Sequence, residues 1–262
     1  FGYIANGGSV QNLGVTGNVI GSNSVGGVVG YNNGTVQNCY STVNVSGTEN
    51  VGGVVGENYT TVKNCYSTGT VTGSNKVGGV VGYAGNGSIQ NCYSTGTVTG
   101  GTSVGGVVGK TNGANVKVLG CVSLGSSVMC SNGSTATNFG RVVGLNEYST
   151  INNNKARSDM LVIDKTVTST DVNSTNGADI AVGTGTKQTD VFASESGWDA
   201  SVWEIPSGDL VLGAALPTLK GFNPDKQNPK LPAAAEREIP LETGVSSLET
   251  DKTYTVANAT QL

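Results

Sequence analysis

The chain has 262 residues, 41 of them glycine, with only 12% charged residues and a net charge of −4. Without a basic block a nucleic-acid partner is not expected, and no apolar run is long enough to cross a bilayer. The sequence contains no histidine, which removes Ser-His and Cys-His nucleophile pairs and the usual imidazole-bearing zinc sites.

The first residues, FGYIANGGSVQNLGV, already fit the tail of a repeat. The chain is therefore expected to begin partway through a module, and no secretion signal is visible. Three units follow: VGGVVGYNNGTVQNCYSTVNVSGTEN from Val25, VGGVVGENYTTVKNCYSTGTVTGSNK from Val51 and VGGVVGYAGNGSIQNCYSTGTVTGGTS from Val77. A looser unit starts at Val104 and a degenerate one at Phe139; the regular starts are 26, 26 and 27 residues apart. Gly, Thr, Val, Ser and Asn dominate each unit and are poor helix formers. Leucine-rich repeats need leucines that are absent, and a propeller blade needs about 40 residues. An all-β fold remains, a parallel and right-handed β-helix of 26-residue coils with an irregular C-terminal cap.

Two columns of β-branched residues should point inward and stack from coil to coil: Val10, Val36, Val62, Ile89, Val118 and Ile151, then Val19, Val45, Val71 and Val98. Between Val36 and Cys39 the apolar parity switches, which one straight strand cannot accommodate. The chain must bend at Asn38. Asn12, Asn64, Asn91 and Asn153 share that place, and are read as an asparagine corner in the left-handed conformation rather than a binding site.

Cys39, Cys65, Cys92 and Cys121 form a further column, with Leu13 in the first coil. A metal or disulfide is conceivable, but Leu13 cannot ligate, so buried free thiols are the favoured reading. Cys130 lies in an insertion and should be more exposed. Tyr40, Tyr66 and Tyr93 follow the cysteines and should face outward as a stripe, either a packed surface ladder or a platform for a glycan or protein. Thr70, Thr72, Thr97 and Thr99 are outward too, but only two coils carry that pair, too few for an ice-binding face.

The recurring GGVVG…G(T/S)(V/I)xNCYSTG resembles the GLUG repeat family of bacterial surface proteins over about residues 1–155. That family includes candidate adhesins of gut Bacteroidetes and some IgA-cleaving metallopeptidases. The resemblance implies a β-helical stalk on the cell surface and fixes no ligand. The metallopeptidase relatives carry HExxH in a separate domain, and this chain has no histidine to supply it.

Domain boundaries are expected at 1–154 for the coils, 155–222 for irregular last coils and a cap, 223–240 for a proline-rich linker, and 241–262 for a short β segment that opens another module. Phe192, Trp198, Trp203 and Phe222 are suited to plugging the open end of the solenoid, with sugar binding as the alternative. The functional expectation is an extracellular, cell-surface adhesion or spacer module without cofactor or metal, binding a surface glycan or protein. The alternative is a polysaccharide lyase or glycoside hydrolase, since β-helices host both. A hydrolase needs two carboxylates about 5–9.5 Å apart, whereas residues 1–150 contain only Glu49, Glu57 and Glu147 as acids.

Overall fold

The computed structural model describes residues 1–131, 137–163, 165–167 and 171–235. The chain winds into a parallel β-solenoid of about 6 turns. A regular turn contains five short strands, as in Glu49–Gly52, Val55–Asn58, Thr61–Lys63, Tyr66–Ser67 and Val71–Thr72. Each strand pairs with its copies one coil away, which builds five parallel sheets of five to seven strands. One of them ends in an antiparallel strand, Lys165–Thr166 against Leu161–Val162.

The register follows the repeat. Val25, Val51, Val77, Val104 and Phe139 pair in one column. Val10, Val36, Val62, Ile89, Val118 and Ile151 pair in another. The bend at Asn38 is also present: Asn12, Asn38, Asn64, Asn91 and Asn153 all adopt positive φ, between 50° and 55°. Asn accepts this region because its short amide costs little there. Asn38 donates to Asn12 Oδ1 at 3.3 Å and Asn64 to Asn38 Oδ1 at 3.2 Å. A second left-handed corner comprises Ser24, Asn50, Lys76, Ser103 and Asn138. Its residue types differ from coil to coil, so no column announces it in the sequence.

The glycine pairs of each VGGVVG have a steric cause. A Cβ on Gly26 would run into the Val29 and Val54 carbonyls, and one on Gly27 into Ser41 and the Gly53 carbonyl; Gly52, Gly53, Gly78, Gly79, Gly105 and Gly106 repeat these clashes. Backbone from one side of the coil therefore reaches Ser41, Ser67, Ser94 and Ser123 on the other. The interior divides into two valine-lined cores. One holds Val28, Val29, Val36 and the cysteine column. The other holds Val25, Val43, Val45 and their copies.

Past Arg157 the chain departs from the expected end plug. Phe192, Trp198, Trp203 and Phe222 do not cover the last rung. They lie along the flank of the coils, in a third apolar cluster with Tyr40, Tyr66 and Tyr93. A plug would need apolar side chains arrayed across both cores. Here the available seat is the flank, where the outward tyrosines already offer stacked ring surface. The expected linker is likewise no linker where it is described: Gln227 and Leu231 are buried, and Pro232 accepts a hydrogen bond from Arg157 at 2.9 Å. Residues 236–240 and the anticipated β segment at 241–262 lie outside the described residues.

Two substitutions test the narrow waist. Gly79→Ala would force a methyl against the Gly106 carbonyl and Ser94; overpacking of this kind costs about 1–3 kcal/mol, and denaturant unfolding should register at least that. Ser67 Oγ is buried without a hydrogen-bond partner among the described residues. Ser67→Ala removes an unsatisfied group, so its unfolding midpoint should match or exceed that of the parent.

Candidate functional site

Tyr40, Tyr66 and Tyr93 are in register on adjacent strands, as their spacing suggests. Their rings stack at 5.3 Å and 4.9 Å with interplanar angles of 10° and 6°. They are not exposed: Tyr40 retains 4% of its accessible surface, and Tyr66 and Tyr93 retain none. The anticipated open stripe is corrected here to a buried seat for the chain's own C-terminal strap, residues 178–235. Trp203 packs beside Tyr66 and Tyr93, and Phe222 meets Tyr40 edge-on. All three hydroxyls donate to the strap, Tyr40 to the Lys226 carbonyl, Tyr66 to Gln227 Oε1 and Tyr93 to the Pro217 carbonyl. Burial pushes the Tyr66 and Tyr93 phenols well above their ordinary range.

Four further anchors hold the strap. Trp198 Nε1 donates to the Gly120 carbonyl at 2.8 Å, and Asn91 turns to the Ser196 carbonyl at 2.8 Å. Gly120 takes the corner that Asn occupies elsewhere, with φ 62°; any Cβ there would overlap Ser196. Lys155 Nζ donates to the Asp190 and Val191 carbonyls at 2.7 and 3.0 Å, and burial lowers its pKa. Arg157 is fully buried, pairs with Asp159 at 2.6 Å and holds Pro232.

The sequence reading missed a second, outer tyrosine ladder. Tyr3, Tyr31, Glu57 and Tyr83 share one register column. Glu57 interrupts the rings, and Tyr59, two residues on, swings its ring into the gap. Ring centroids lie 5.3 Å apart from Tyr3 to Tyr31 and from Tyr31 to Tyr59, then 6.3 Å to Tyr83, which meets Tyr59 edge-on. Tyr31, Tyr59 and Tyr83 are part-exposed, and Tyr3 more so. The Glu57 carboxylate accepts from Ser24 Oγ at 2.7 Å, Asn50 Nδ2 at 2.9 Å and the Tyr59 hydroxyl at 3.1 Å. Burial first, then the bond to Glu57, raises the Tyr59 phenol to about 12. Beside it Lys76 pairs with Glu49 at 2.6 Å and lies 5.2 Å from the centre of the Tyr83 ring. The signal that would have revealed this face is the Tyr at the sixth position after two of the four VGGVV starts, at Tyr31 and Tyr83, with Glu57 between them.

The cysteine column is buried and its thiols are free, with Leu13 packed against the same core. Cys39, Cys65 and Cys92 each donate to the carbonyl two residues back, at 3.1 to 3.2 Å. Burial pushes Cys65, Cys92 and Cys121 well above the usual thiol range. Cys130 is half-buried, more open than the column. Among the described residues no cluster of three or more His, Cys, Asp or Glu is placed to hold a metal ion.

The family whose pattern matches this sequence is described as the GLUG motif, at residues 21–46, 47–72 and 73–99. The chain carries three GLUG repeats. These are the coils that bear the glycine waist, the cysteine column and the buried tyrosines. No curated protein matches the sequence. Among solved structures, the GLUG-repeat chain is similar to a Bacteroides ovatus protein described as a candidate immunoglobulin A1 protease. The TM-score is 0.64 at 24% identity, over 85% of this chain and 71% of that one. At that identity the likeness is one of fold.

Two measurements follow from the two buried columns. The four column thiols should resist alkylation in the native protein and react on unfolding, because each is enclosed, and burial also keeps Cys65, Cys92 and Cys121 undissociated, while the hydrogen bond with Cys65 lowers the pKa of Cys39 and makes it the first to label; mass spectrometry of labelled peptides identifies each. Tyr66→Ser should lower stability by about 3 kcal/mol or more, the range for emptying a buried aromatic site, and should make residues 178–235 sensitive to limited proteolysis before the coils are.

Proposed function

We propose that this GLUG-repeat chain is a non-catalytic β-solenoid module of a cell-surface protein, displayed outside the cell, where it meets a glycan or protein partner and serves adhesion. The observation that carries this reading is the outer face around Glu57. It is the mixed aromatic and polar surface left when the strap covers the other tyrosine ladder. Its carboxylate is held by three neutral donors, an arrangement that suits recognition better than proton transfer. The other acids of the regular coils are engaged in ion pairs, Glu49 with Lys76 and Glu147 with Lys110 at 3.0 Å. Among the described residues no helix is long and apolar enough to cross a membrane. The Bacteroides ovatus neighbour contributes the fold to this reading and no reaction.

The test is a paired measurement on the purified chain. On arrays of glycans and extracellular-matrix proteins it should show saturable binding. Incubated with a polysaccharide panel, it should release no product. Cleavage that disappears in Glu49→Gln or Glu57→Gln would replace this reading with a carbohydrate-active enzyme.

A further inference from the structure

We propose that Tyr31, Tyr59 and Tyr83, with the Glu57 carboxylate, form a binding site for a neutral oligosaccharide chain lying along the solenoid axis. This deepens the adhesion reading and rests on it.

The first ground is a break in the repeat. At the strap-covered ladder the three regular coils all keep tyrosine, at Tyr40, Tyr66 and Tyr93, and the rings stack within 10° of parallel. A ladder kept only for packing would do the same on the outer face. Instead the column runs Tyr31, Glu57, Tyr83. The middle rung gives up its ring for a carboxylate, and Tyr59 restores a ring from two positions away. Departures from the locally consistent choice concentrate at functional sites.

The second ground is geometry. Carbon atoms pack at about 3.5–4.0 Å, so rings with centroids 5.3 Å apart cannot overlap coin on coin. Tyr3, Tyr31 and Tyr59 are offset like shingles, Tyr83 closes the row edge-on to Tyr59, and each stays partly in solvent. The result is a strip one ring wide, repeating once per coil. A sugar chain has the matching periodicity of form, with apolar C–H faces on successive rings and hydroxyls at their rims.

The third ground is the polar rim. A carboxylate offers about four lone-pair directions. Ser24 and Asn50 converge on Oε2, and Tyr59 takes one direction on Oε1. One acceptor direction on Oε1 is left, on an oxygen already fixed in place. A sugar hydroxyl would complete it with a charge-assisted bond. On the other side of the strip Asn112 reaches the Tyr83 hydroxyl at 3.4 Å.

Charge narrows the ligand. Lys76 is matched by Glu49, and among the described residues Glu57 makes no ion pair, which disfavours uronic acids, sulfated chains and nucleic acid. Width narrows it again. A protein interface centres on a desolvated apolar patch, whereas this strip is bordered by Ser24, Asn50 and Lys76.

The experiment uses the full chain against immobilised neutral hexasaccharides of glucose, xylose and mannose, with a hexauronate and fibronectin alongside. At least one neutral hexasaccharide should bind. Glu57→Gln keeps the shape of the side chain, and loss of a charge-assisted bond should weaken binding about tenfold or more. Tyr31→Ser combined with Tyr83→Ser should abolish it. Thr72→Ala, on another exposed face, should bind as the parent does. Thermal midpoints close to that of the parent show that the variants are folded; should the double variant unfold, Glu57→Gln alone decides. Parent-like binding by Glu57→Gln would overturn this site while leaving adhesion standing. So would binding of fibronectin or the hexauronate alone. If none of the probes is bound, the sugar site falls, and the adhesion reading is then judged on the wider arrays.

Discussion

Two backbones meet inside this solenoid with no side chain between them, and the rest of the structure depends on that contact. Each glycine of the GG pairs sits where a single methyl would strike a carbonyl of its own coil or the next. The approach lets a 26-residue coil close around two small cores instead of one wide one. Valine fills such narrow spaces, and larger residues would not. The repetition of VGGVVG follows from this: every coil must pass the same waist, and a coil that cannot pass it would push its neighbours out of register.

The outward side of each coil is freer, and the chain uses the two tyrosine ladders differently. One is closed by the C-terminal strap, whose tryptophans and phenylalanines complete a core that the coils only half build. The other stays open, and its regularity yields at Glu57. Over the same three coils the covered ladder keeps Tyr40, Tyr66 and Tyr93 while the open column runs Tyr31, Glu57, Tyr83, and that contrast locates the surface on which binding is proposed.

Much of the solenoid was legible in the residues. The columns Val36–Val62–Ile89 and Val25–Val51–Val77 give strand register directly, and the parity switch before Cys39 demanded a corner that Asn38 makes. These features repeat, and repetition turns a local preference into a readable signal. The second corner was not legible, because Ser24, Asn50, Lys76 and Ser103 have no chemistry in common; tertiary fit, not residue type, drives them to positive φ. The fate of Tyr40, Tyr66 and Tyr93 was hidden for another reason. Facing out of the coil is a local property, but being covered depends on a segment more than a hundred residues away. Trp198 and Trp203 were recognised as seeking burial, and only the three-dimensional path shows that they find it on the flank.

The strap also alters how the molecule must be made. Its contacts with the early coils join residues 186 and 161 positions apart, while each coil needs only its neighbour. Coils can therefore assemble progressively, each on the one before. Until the strap docks the Tyr40–Tyr66–Tyr93 flank stands bare, because the residues that cover it come last in the chain. A partly assembled solenoid thus passes through a stage with an open aromatic side. Once docked, the strap spans several coils at once, so that a stack of nearly independent rungs is bound to unfold as one cooperative body.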